Sequence, residues 1–178
     1  MSAITVYKPP TLPPQDAFET HRSVFLAGSI EMGRAEDWQA AVASDLEPLA
    51  EDVILLNPRR DDWDSSWEQR LENPAFHEQV TWEMDMLERC DTIFFYFAPG
   101  TKSPISLLEL GLHAASGKAI VCCPEGFWRK GNVDIVCERF DIPRHATLEQ
   151  GIEHLIERLT SQEYSSRMSA RAVGSPEP

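Results

Sequence analysis

A doubly wound α/β domain, with a parallel sheet covered by helices on both faces, is the fold class this 178-residue chain predicts. Three observations carry the prediction. Short runs that are apolar at nearly every position alternate with longer stretches of helical periodicity. Strands wet on one face would alternate apolar and polar residues, and these runs do not, so both faces must be covered. Glycine and proline follow each run, as tight strand exits require. The pattern is of the flavodoxin/Rossmann-like kind.

Residues 1–22 contain Pro9, Pro10, Pro13 and Pro14 and read as an extended arm along the surface. The first strand is expected over 24–27, a helix over 37–50 and a second strand over 53–57. A Trp- and Asp-rich loop follows, then a helix over 76–89, a strand over 92–97 and a helix over 104–116. A strand over 119–123, a helix over 133–140 and a last helix over 148–160 complete a single domain spanning 23–161. The polar, Ser-rich, aperiodic tail 162–178 predicts mobility, or order only against a partner chain.

The composition excludes several function classes. A formal net charge of -13 leaves no basic stripe for phosphates, so a nucleic-acid polymer or an anionic membrane is a poor partner and a small molecule is favoured. The opening residues lack a leader pattern, and no apolar run approaches the length of a membrane span, so a cytoplasmic protein is expected. Cys90, Cys122, Cys123 and Cys137 have no zinc-ligand or redox spacing and read as reduced packing residues. His21, His77, His145 and His154 lack metal-ligand spacing, so no metal site is expected; His113 stands four residues after Glu109, within reach of it. Neither a serine nucleophile elbow nor a cysteine beside a base is present. The segment from Gly28 to Gly33 follows a strand but has neither a dinucleotide fingerprint nor a P-loop lysine, and no cofactor is expected.

Ligands of an open parallel sheet bind beyond the carboxyl ends of its strands. Gly28, Ser29 and Ile30 leave the first strand, Asn57 and Arg59 the second, and Ser103 stands just beyond the third. Their amide, hydroxyl and guanidinium groups suit a sugar and a base, although each also fits an ordinary turn. The helix beginning near Pro104 is apolar nearly all round, which predicts that it is largely buried, and Glu109 is its only acid. A buried carboxylate needs a partner or a function. Asp85, beside Trp82 on the preceding helix, stands off a core stripe of Phe76, Val80, Met84 and Leu87, and either reaches the crevice or is one more solvated acid. Asp91 reads as a local cap. Trp63 or Trp67 could stack on a base or simply pack.

Taken in order, F-L-A-G-S-I at 25–30, Asp85 with Asp91, and S-L-L-E-L-G-x-x-A-x-x-G-K at 106–118 resemble the nucleoside 2-deoxyribosyltransferases and their relatives. The similarity extends from about Val24 to Phe140. It implies that Glu109 is the nucleophile, that Asp85 positions substrate and handles the proton of the leaving base, and that Ser29 lines the pocket. Ser103 departs from the pattern, standing where some members carry an acid, which points to a divergent branch. The resemblance also implies a homodimer or larger homo-oligomer in which an asparagine from the neighbouring subunit, best matched by Asn132, completes each site. The expected partners are then a deoxynucleoside and a free nucleobase. The chemistry would be exchange of the base of a 2′-deoxynucleoside through a covalent deoxyribosyl-Glu109 intermediate. Capture by water would give an N-glycosidase instead, and Arg34, Arg59 and Arg60 would tolerate a 5′-phosphate; a nucleotide-sensing module without turnover is the alternative of another class.

Overall fold

The computed structural model of the chain describes residues 3–30, 37–62 and 64–161. Six strands form one wholly parallel sheet: β1 (Thr5–Tyr7), β2 (Arg22–Gly28), β3 (Val53–Leu56), β4 (Thr92–Tyr96), β5 (Ala119–Cys122) and β6 (Arg144–His145), in the order β1-β3-β2-β4-β5-β6. The helices are α1 (Ala17–Thr20), α2 (Trp38–Asp45), α3 (Pro74–Arg89), α4 (Pro104–His113), α5 (Lys130–Arg139) and α6 (Leu148–Thr160). The sequence predicted the four inner strands; β1 and β6 are edge strands of three and two residues and were not foreseen.

Side chains alternate across the sheet, so each inner strand feeds two cores. Phe25, Phe95 and Val121 pack under α3, α4 and α5, against Trp82, Met86, Leu110 and Val133. Val24, Leu26, Phe94 and Ile120 pack under α2 and α6, against Trp38, Val42, Leu155 and Leu159. The doubly wound architecture is therefore present. Gly151 marks the closest approach on the second face, because a Cβ there would stand 1.9 Å from Cys122 Sγ.

Local signals account for the helix ends. Asn73 caps α3 by accepting from the N–H groups of Ala75 and Phe76 at 3.2 and 3.4 Å, and Pro74 fills the first turn, where a missing N–H costs nothing. Pro48 cannot donate within a helix, and α2 gives way at Asp45 to a 3₁₀ turn over Glu47–Leu49.

Two sequence expectations change. The proline-rich stretch 1–22 lends the sheet β1, buries Ala17 and Phe18, and accepts a 2.9 Å bond from Trp82 Nε1 at the Thr11 carbonyl, so it is woven into the fold. The helix α4 is not largely buried: Ser106, Glu109 and Leu110 face inward, whereas Ile105, Leu108 and Leu112 are about 60% exposed. Its apolar outer face is uncovered in the single chain. Among the described residues no helix is long and apolar enough to cross a membrane, and no group of three or more His, Cys, Asp or Glu could hold a metal ion. The tail 162–178 lies outside the described residues, as do Arg34 and Trp63.

Candidate active site

The chain leaves β2 toward α2 on one face and leaves β4 toward α4 on the other, so the sheet opens between these two neighbouring strands. Such a switch point is where open α/β sheets bind ligands. Gly28 ends β2 at a φ of 150°, and a Cβ there would meet the Tyr96 carbonyl oxygen at 2.2 Å, so only glycine fits between β2 and β4. Ser29 follows, fully buried. Its Oγ accepts from the Ala98 N–H at 2.9 Å and lies 2.6 Å from Thr101 Oγ1 and 2.7 Å from Ser103 Oγ. Ser103 holds a left-handed conformation, φ 44°, at the start of α4, and Ser106 Oγ donates to the Gly28 carbonyl at 3.1 Å. This knot of hydroxyls pins the first turn of α4 to the end of β2.

One turn further along α4, Glu109 is 9% exposed. Burial pushes its carboxyl up to about 8, and the nearby carboxyl of Glu83 adds to the shift. Glu83, half-buried on α3, is pushed up to about 7 by burial, against an opposing hydrogen bond from Gln79. No cationic side chain among the described residues contributes to either shift. Two carboxyls brought together in an apolar setting cannot both ionise cheaply, so over neutral pH the pair tends to share a proton. Gln79, 3% exposed, uses its Nε2 to bond both Glu83 Oε1 at 2.8 Å and the Pro58 carbonyl at 3.1 Å, which ties the acid to the exit of β3.

Asp85, the acid the sequence offered on this helix, is exposed, and Glu83 is the half-buried one. The inward stripe of α3 is Gln79, Trp82, Met86 and Leu87, and Met84 is 51% exposed. Trp82 anchors this rotation by packing on Phe25, with ring centroids 6.2 Å apart. Asp85, two residues beyond Glu83, is carried about 200° round the helix, away from it. A hint was legible in the sequence: Gln79 and Glu83 stand four apart on the face that Trp82 and Met86 define.

The remaining candidates divide. Asn57 is buried and shapes the β3 exit, its Oδ1 accepting from the Arg59 N–H at 2.9 Å, and Ile30 and Arg59 are half-buried beside these exits. Arg60 pairs with Asp62 at 2.6 Å and Glu78 at 3.6 Å and lies over the Trp67 ring. Asn132 is exposed and lines a groove of about 330 Å³ between α4 and α5 with Leu107, Leu110, Trp128, Val133 and Val136; none of the other site candidates lines it. His113 does not act on Glu109; burial and Lys118 lower its pKa, with Glu88 opposing. Asp91 is not a local cap but ties the start of β4 to β2, accepting from the Ser23 N–H and Oγ at 3.0 and 2.9 Å.

The fold and the site together define a flavodoxin-like α/β protein with a buried carboxyl pair at its switch point. The family described as nucleoside 2-deoxyribosyltransferase like matches residues 21–127, more than half of the chain, and the chain belongs to it. Its role therefore falls within nucleoside processing. No curated protein matches the chain.

Proposed function

We propose that the chain cleaves the N-glycosidic bond of a 2′-deoxynucleoside and transfers the sugar to a second base. The observation that carries this reading is Glu109, a buried carboxyl with no cation contributing to its state, set against a second carboxyl at the ligand-binding end of the sheet. The Glu109 carboxylate attacks C1′ as the bond from C1′ to the base nitrogen breaks, and the bonding pair leaves with the base. Glu83, rather than Asp85, delivers the proton to that base. A second base then attacks C1′, Glu109 departs as a carboxylate, and the proton released by the incoming base returns to Glu83. Two displacements retain the anomeric configuration.

Incubation with a deoxynucleoside and a different free base should yield the exchanged nucleoside, with a deoxyribosyl adduct on Glu109 by mass spectrometry. Absence of both exchange and free sugar would overturn the reading in favour of a sensing module.

One observation favours a second reading. Ser103, with Ser29 and Thr101, sets uncharged hydroxyls at the start of α4, where a helix N-terminus favours an anion. A 5′-phosphate would suit that end, and water as the acceptor would make the chain a deoxynucleotide N-glycosidase. Free deoxyribose 5-phosphate, formed without an acceptor base, identifies it.

The chain is further read as a homodimer or larger homo-oligomer. Ile105, Leu108 and Leu112 on α4, with Trp128 and Ile135, are apolar and exposed, which supports burial against another copy despite the mutual repulsion of chains carrying a net charge of -13. Asn132 lines the groove beside Trp128, which supports reading it as a residue offered to a neighbour's site. Light scattering should give an oligomer that Leu108→Glu converts to monomer; a monomeric wild type would refute this.

A further inference from the structure

Gln79 is a buried amide whose inventory does not close. Its two N–H groups are both used, one on the Pro58 carbonyl at 3.1 Å and one on Glu83 Oε1 at 2.8 Å. Its carbonyl oxygen is buried and has no hydrogen-bond partner. Turning the amide over would not help, since it would set the carbonyl against two acceptors. A buried, unmade acceptor is costly, and among the groups bonded to this amide only Glu83 can acquire a proton to give. A carboxylic acid meets a primary amide in a two-bond ring: the amide N–H donates to one carboxyl oxygen while the acid O–H donates to the amide oxygen. The first of these bonds is already in place.

We propose that Gln79 is a positioning residue that decides which of the two buried carboxyls keeps their shared proton, holding it on Glu83 through a paired amide–acid contact and leaving Glu109 ionised. The proposal rests on the carboxyl-pair mechanism above, which needs Glu83 as the acid and Glu109 as the nucleophile, and it supplies what burial alone does not. Burial raises both carboxyls, and the charge of Glu83 adds to the shift at Glu109, so burial does not by itself choose between them. The N–H of Gln79, taken alone, favours the Glu83 carboxylate; its carbonyl favours the Glu83 acid. The charged group facing Glu83 from α4 is Glu109, the β3 exit contributes the Pro58 carbonyl, and on α3 itself Glu78 and the Arg60 it meets form a separate pair. When Glu83 gives its proton to the departing base, the Gln79 carbonyl is orphaned again, which draws the proton back as the second base loses it. The proton count is unchanged over a full exchange.

The test follows the proton directly. In protein labelled with ¹³C at the glutamate carboxyls, with resonances assigned through Glu83→Gln and Glu109→Gln, the deprotonation at higher pH should belong to Glu83 in the wild type. In Gln79→Met it should move to Glu109, and kcat should fall by about tenfold or more with KM little changed. Wild-type protein alone offers a second measurement, independent of whether that variant folds: the Gln79 side-chain amide signals should titrate with the Glu83 midpoint. A higher-pH step on Glu109 in the wild type, an unchanged assignment in Gln79→Met, or a Gln79 amide that stays flat through the Glu83 step would each overturn the proposal. These readouts do not require turnover. The expected titration without any exchange or hydrolysis would therefore sink the functional reading and spare this one, and active enzyme with the wrong titration would do the reverse.

Discussion

The two ends of the sheet treat charge in opposite ways. At the amino end ionic groups are answered by partners: Asp91 accepts two bonds from Ser23, Lys118 Nζ donates to the carbonyls of Leu87 and Glu88, and Arg158 donates to the carbonyls of Lys118 and Ala119. At the carboxyl end Glu83 and Glu109 are pushed toward the protonated form with no cation contributing, and a buried amide oxygen is left unmatched. One end is built for stability; the other holds a cost that stability alone would remove.

Substitutions can break this contrast, beginning with the largest effect. Glu109→Gln should lower base exchange by at least about 10³-fold, as loss of a covalent nucleophile does, measured by product formation under saturating substrate; near-normal turnover would abolish the proposed chemistry. The same variant should change how stability depends on pH. The carboxyl pair, raised from 4.5 to about 7 at Glu83 and to about 8 at Glu109, binds protons more tightly folded than unfolded. Its contribution is therefore complete below about pH 4.5, declines as pH rises, and is lost once pH passes the folded values. Denaturant titrations should show wild-type stability falling between those limits, and Glu109→Gln should flatten that decline and be the more stable protein at pH 9. A decline of the same steepness in both would show that the raised protons do not belong to this pair.

Asp91→Ala probes the opposite end. Losing its two bonds to Ser23 should cost about 1–3 kcal/mol in denaturant unfolding and leave kcat unchanged; a large loss of activity at normal stability would contradict the division of roles. The smallest effect is expected at Asp85, whose exposed carboxylate should be replaceable by asparagine with kcat within about twofold and stability within about 0.5 kcal/mol. A loss comparable to that of Glu83→Gln would return Asp85 to the site.

Much of this was legible before any coordinates. The runs at 24–27, 53–57, 92–97 and 119–123 are apolar enough that only a covered parallel sheet accommodates them, and β2 to β5 lie within or beside those ranges. Glu109 stood out because an acid on an apolar helix needs a reason, and it is buried. The edge strands β1 and β6 carry no such signal: three and two residues, mostly not buried, become strands only because β3 and β5 offer free backbone groups beside them. The extent of α4 burial was overread for a related reason, since the apolar character of a helix does not say how much of it the chain's own residues cover.

What the sequence determined by itself was the alternation of strands and helices, the end of the sheet where the strand exits gather, and the buried acid of α4. What only the tertiary structure decided was the rotation of α3, and with it whether Glu83 or Asp85 faces Glu109. Periodicity states which residues of a helix share a face, but the direction of that face is chosen by contacts far away in sequence. Here the contact is Trp82 seated on Phe25 and bonded to Thr11, and it turns Gln79 and Glu83 inward together.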